Sequence, residues 1–172
     1  MAEKIKARRR VKEAYFGDPI TSKEAIASAN FVTKLPFTLR DDELAFSQED
    51  PDVEEVYVHE VDSPVFVDYT AKPIIISGTF LGLTDEQKAL LLGGTKESDG
   101  YHHSSKISVL NKSMKVVDHS GNHIICTNIT GYVKYEPGIG KGGLERYPFK
   151  FTCLAGSPDW QVDIVEGKGS SL

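Results

Sequence analysis

Residues Arg146 to Cys153 constrain the fold more than any other stretch, because Tyr147, Phe149, Phe151 and Cys153 fall on one side of an extended chain and Arg146, Pro148, Lys150 and Thr152 on the other. Such a strand must bury its aromatic side, so Phe149 and Phe151 are expected in the core. Pro148 lacks a donor N–H and predicts a sheet edge or the end of a ladder. From Phe31 onward the chain keeps this texture, with short runs of Val, Ile, Phe, Tyr and Thr broken by Pro, Gly, Asp and Asn. Strands are expected over 31–40, 43–48, 53–61, 64–69, 73–81, 105–110, 114–118, 122–135, 145–154 and 160–165. Ser120, Gly121 and Asn122 between two apolar runs predict a tight hairpin.

Thr84 to Leu92 is the segment that reads as a helix. Thr84 caps it, Gln87 completes a capping box, and Gly93 stands where a left-handed residue ends it. Ala89 to Leu92 give it an apolar side, with Leu90 expected in the core. A second short helix around Ser22 to Ala29 is compatible with the sequence. One helix on many strands predicts a mainly β protein, a sandwich or barrel. At 172 residues the chain fits one domain. Residues 1–30, poor in large apolar side chains, read as an N-terminal arm, residues 31–165 as the β domain and residues 166–172 as a flexible tail.

The net charge of -5 is modest, but its signs are segregated. Lys4, Lys6, Arg8, Arg9, Arg10 and Lys12 make the start basic, whereas Asp41 to Asp62 holds ten carboxylates and no Lys or Arg. No apolar run reaches the roughly 20 residues of a membrane span, and the basic start lacks the apolar core of a signal peptide, which predicts a chain made in the cytoplasm. Cys126 and Cys153 lie in apolar runs and read as small buried hydrophobes.

Patterns that carry catalysis are missing or out of context. Gly138, Gly140 and Gly143 have the spacing of a dinucleotide loop, but a strand follows them where a helix is needed. His119 and His123 flank the predicted turn, and with His102 and His103 they are the one candidate metal cluster; solvated turn residues are the simpler reading. The carboxylates of the acidic segment are numerous but spread out, as a solvated face rather than an acid–base pair. The expectation is a protein that is not an enzyme and needs no cofactor. The basic run would suit a phosphate-rich partner or the acidic surface of a neighbouring copy.

Two segments carry a resemblance: Ile74 to Phe80 leading into Leu83 to Gly94, and Gly142 to Cys153, where a glycine-rich loop and a basic residue precede alternating aromatics. In these, and in the order of arm, acidic strands, helix and closing strands, the chain resembles the major tail-tube proteins of long-tailed bacteriophages. The resemblance implies β-sandwich subunits assembled as homohexameric rings, stacked into a tube through which duplex DNA passes at genome ejection. It implies a place in the virion tail and other tail proteins at the tube ends; the family includes both flexible and contractile tails, and the extended arm favours the flexible kind. Asp42, Glu43, Glu54 and Glu55 would then line the lumen and repel DNA, and Arg8, Arg9, Arg10 and Lys12 would join one ring to the next. Other readings stay open: a tail terminator or secretion-tube ring, a monomeric β-barrel binding module, and an enzyme using the acidic segment.

Overall fold

The computed structural model describes residues 10–40, 44–138, 143 and 145–168. Its elements are β1 (Val11–Gly17), α1 (Lys23–Ser28), β2 (Thr33–Lys34), β3 (Ala45–Gln48), β4 (Asp52–Val58), β5 (Val61–Thr70), β6 (Ile74–Leu81), α2 (Asp85–Leu92), β7 (Thr95–Glu97), β8 (Gly100–His102), β9 (Leu110–Asp118), β10 (Asn122–Val133), β11 (Arg146–Leu154) and β12 (Ile164–Lys168). The fold is mainly β, with antiparallel pairing throughout.

The main sheet runs β2-β1-β9-β10-β11-β6-β3, and β12 also pairs with β10. Its two sides are joined by one stretch of chain. Just after β2, the Leu35 N–H donates to the Ala14 carbonyl of β1 at 2.8 Å; a few residues on, the Leu81 N–H of β6 donates to the Phe37 carbonyl at 2.8 Å and the Leu39 N–H donates to Thr79 at 2.9 Å. The sheet therefore rolls into a barrel closed by residues 33–39, and closure removes most of its exposed edges.

Aromatic rings fill the interior. Phe149 stacks on Phe80 at 4.3 Å and on Phe151 at 5.1 Å, and Phe151 meets Phe16 of β1 edge-on at 5.8 Å. Strands β1 and β11 are not neighbours in the sheet, so this last contact crosses the barrel. Each buried ring contributes about 1.5–3 kcal/mol relative to exposure. Gly78 makes the stack possible, because a Cβ there would lie 2.8 Å from the Phe149 ring.

Several expectations change. Residues 11–30 are not an arm: Ala14 and Phe16 are buried, and β1 pairs with β9 along its length. A bulge between Val11 and Glu13 turns exposed Lys12 outward and lets Val11 pack on the core. Residues 166–168 are not a tail, because β12 pairs Glu166 with Ile124 and Gly167 with His123; residues 1–9 and 169–172 lie outside the described residues. The strand expected at 105–110 begins only at Leu110, as β9. Pro148 does stand at the end of a ladder, as expected: the β10–β11 pairing stops at Phe149, and the Pro148 carbonyl accepts from the Lys134 N–H at 2.8 Å just past the end of β10, so its missing donor interrupts nothing.

Helix α2 forms as its caps dictate. The Gln87 N–H donates to Thr84 Oγ1 at 3.3 Å, the Thr84 N–H donates to Gln87 Oε1 at 3.0 Å, and Gly93 ends the helix at φ 78°. Leu90, expected in the core, is 40% exposed, while Leu91 and Leu92 are buried. A run of four apolar residues wraps the helix, and only part of it can face the barrel. Leu91→Ala is therefore expected to lower unfolding stability by about 2–5 kcal/mol, and Leu90→Ala by no more than about 0.5 kcal/mol, as read by urea denaturation. Equal losses would show that α2 packs through a different face.

Candidate self-association surface

Where β3 ends at Gln48, opposite Ile74 of β6, the chain leaves the barrel and returns as a two-stranded ribbon, β4 and β5. The stem is tied down. Gln48 Nε2 donates to the Lys72 carbonyl at 2.7 Å, and Lys72 pairs with Asp52. Beside it, Phe46, Ile74, Ile124 and Ile164 line an apolar depression of about 260 Å³.

Beyond the stem the ribbon is exposed on both faces. One face carries Val53 beside Tyr69 and Glu55 beside Val67; the other carries Glu54 beside Asp68 and Val56 beside Phe66. Tyr69 is 65% exposed and Phe66 59%, and Val53, Val56, Tyr57, Val58, Val61 and Val65 are exposed as well. This is the largest concentration of exposed apolar side chains among the described residues. An isolated two-stranded hairpin is at best marginally stable in water, and single apolar exposures are ordinary where a contiguous set is not.

The charge distribution sharpens this. Asp52 to Thr70 contains six carboxylates and no Lys or Arg. Glu54 and Asp68 stand directly opposite each other across the ladder, a destabilising like-charge pair, and no ion pair to either exists among the described residues. Tyr57 donates to Glu55 Oε2 at 2.5 Å, so that carboxylate has a local partner.

The other expected site residues are dispersed. Asp42 and Glu43 lie outside the described residues, as do Arg8 and Arg9. Glu54 and Glu55 project from opposite faces of the ribbon and do not form one wall. Arg10 and Lys12 belong to the start of β1, where the Arg10 carbonyl accepts from the His119 N–H at 3.1 Å. Phe149 and Phe151 are buried.

The histidines do not converge. His102 contacts Asp99 at 2.9 Å, while His103 contacts the Tyr101 hydroxyl at 3.0 Å and stacks on Tyr135 at 4.6 Å. The His123 ring lies over Gly167 of β12. Among the described residues no three His, Cys, Asp or Glu side chains stand together as metal ligands would. Cys126 and Cys153 are buried free thiols; a hydrogen bond with Cys153, with burial, pushes the Cys126 thiol up, so it stays protonated.

One polar cluster the sequence did not reveal pins α2 to β11. Glu145 accepts from the Tyr147 hydroxyl at 2.6 Å and pairs with Lys88 of α2 at 3.1 Å. The tyrosine bond first, then Lys88, holds the Glu145 carboxyl below its ordinary 4.5, while burial and then the same bond push Tyr147 well above its ordinary 10. A neutral tyrosine and a neutralised carboxylate suit a strut more than acid–base chemistry.

No family model matches the chain, and no curated protein matches it.

The cluster predicts a pH profile. Because the Glu145 pKa is lowered on folding, its contribution to stability is full above pH 4.5 and is lost as pH falls through the lowered value. Because the Tyr147 pKa is raised, its contribution is full below pH 10 and is lost as pH rises beyond it. The cluster should therefore add no slope to melting temperature against pH between these limits, and Glu145→Gln should make the acid limb shallower, the remainder resting on groups such as Glu13, which Tyr15 also holds low. An unchanged acid limb in that variant would contradict the assignment.

Proposed function

We propose that this chain is a structural subunit that assembles with copies of itself into hexameric rings stacked as a tube, of the kind that conducts duplex DNA through the tail of a long-tailed bacteriophage at genome ejection. The observation that carries the reading is the β4–β5 ribbon, apolar and solvent-exposed on both faces and projecting from a barrel whose own edges are largely closed. A finished barrel has no use of its own for such a ribbon, which becomes stable when another surface covers it.

The chain's acidity supports the same reading. Duplex DNA carries about one negative charge per 1.7 Å, and a carboxylate-rich wall lets it pass without sticking. The layout of acidic strands, capped helix and aromatic closing strand, which resembles the tail-tube family, points the same way. The working place of the subunit is then the virion tail, after synthesis in a bacterial host.

Negative-stain electron microscopy beside size-exclusion chromatography, across protein and salt concentration, tests this. Six-fold rings or hollow tubes are expected. Replacing two exposed ribbon residues together, Val56→Lys with Phe66→Lys, is expected to abolish them while the barrel stays folded, as read by circular dichroism. A wild-type protein that stays monomeric throughout, or tubes that survive the double substitution, would overturn the proposal; rings that never stack would make it a single-ring component instead.

A further inference from the structure

The ribbon needs a receiving surface, and the same chain offers one at the other end of β6. Gln48, at the ribbon's root, pairs with Ile74, whereas the barrel-closing stretch meets β6 at Phe80 through Thr38. Six residues of strand separate the two points, about 20 Å. The closing stretch turns its inner side chain, Leu35, into the core and its outer ones into solvent: Phe37 is 84% exposed and Val32 72%, the two most exposed large apolar residues described.

Basic residues stand along this stretch and along the β1 edge beside it, with the Glu13 carboxylate between them. Lys34 lies between Val32 and Phe37 in the chain and makes only a loose, exposed contact with Glu13 at 3.8 Å, which solvent screens. Arg10 and Lys12 stand exposed at the start of β1. There β1 is paired with β9 alone, because β2 reaches only Tyr15 and Phe16, and no described strand covers the other side of Val11 to Glu13. The surface therefore combines two apolar anchors, three cations against the one carboxylate of Glu13, and a short open strand edge. The ribbon combines apolar anchors with an unneutralised Glu54 and Asp68.

Resting on the self-assembly reading above, we infer that the β4–β5 ribbon of one copy docks on the Val32–Phe37 stretch and the β1 edge of the next copy. Lys34, Arg10 and Lys12 neutralise Glu54 and Asp68, while Val56 and Phe66 cover Val32 and Phe37. Two ribbons cannot satisfy each other, since pairing would set carboxylate against carboxylate. Donor and acceptor are different surfaces on one chain, so the contact is head-to-tail and repeats until a ring closes or a filament grows.

A mixing experiment tests this. The full-length donor variant, Val56→Lys with Phe66→Lys, keeps the acceptor; the acceptor variant, Val32→Asp with Phe37→Asp, keeps the donor. Circular dichroism melts check that both fold. Each alone is expected to lose self-association by at least about 100-fold, and equimolar mixing is expected to restore a single one-to-one complex by analytical ultracentrifugation. As a milder pair, Glu54→Lys is expected to weaken assembly and Lys34→Glu in the same chain to recover part of it.

The outcomes separate the two claims. An acceptor variant that still assembles like wild type would overturn the docking site and leave self-assembly standing. Two monomeric variants that ignore each other, with no rescue in the charge swap, would overturn it too. A wild-type chain that never associates would remove the self-assembly reading and the docking site together.

Discussion

The body of the molecule hangs on β10, which holds two successive strands along the same side. Its second half pairs with β11 and its first half with β12, and at the change between them sits Thr127, fully buried. The Thr127 hydroxyl donates to the Val162 carbonyl at 2.7 Å, its N–H donates to Asp163 at 2.9 Å, and its carbonyl accepts from the Ile20 N–H at 2.8 Å. Two stretches distant in sequence, at Ile20 and at Val162 to Asp163, are thereby fastened to one residue. The β10 bulge between Cys126 and Ile129, in its pairing with β9, falls at the same place. With these bonds made and the Phe16, Phe80, Phe149 and Phe151 rings filling the interior, the barrel is complete without the ribbon.

That completeness gives the ribbon its meaning. A loose protein exposes apolar groups everywhere; this one, among the described residues, places most of its exposed large apolar side chains on a single ribbon, with the two most exposed, Val32 and Phe37, on and beside the closing stretch. The carboxylates interspersed on the ribbon keep it soluble and keep two ribbons apart, as charged edge strands generally do. Apolar area then supplies most of any binding energy, and the charges select the partner.

The sequence disclosed the parts whose physics is local. The alternation at Arg146 to Cys153 needs only the two-residue period of a strand, and the α2 boundaries need only Thr84, Gln87 and Gly93. It hid the parts settled by tertiary contacts. Strand β1 follows a basic run and buries only Ala14 and Phe16, with Val11 packed at the margin of the core, so little in its composition announces a strand; β9 makes it one. Which of Leu90 and Leu91 is buried depends on how α2 leans on the barrel, and four consecutive apolar residues leave that open. The acidic segment was legible as acidic, but not as a ribbon with Glu54 and Glu55 on opposite faces, because that depends on the register of β4 against β5. The Glu145–Tyr147–Lys88 strut joins residues far apart in sequence and left no local signal.

Hydrogen–deuterium exchange, followed peptide by peptide on dilute and on concentrated full-length protein, tests the central claim most directly. If the ribbon exists to be covered by another copy, amides of Asp52 to Thr70 exchange fast in the dilute protein and become strongly protected in the assembled one, while those of β10 and β11 are slow in both. Fast exchange of the ribbon within particles shown to be assembled would contradict the account.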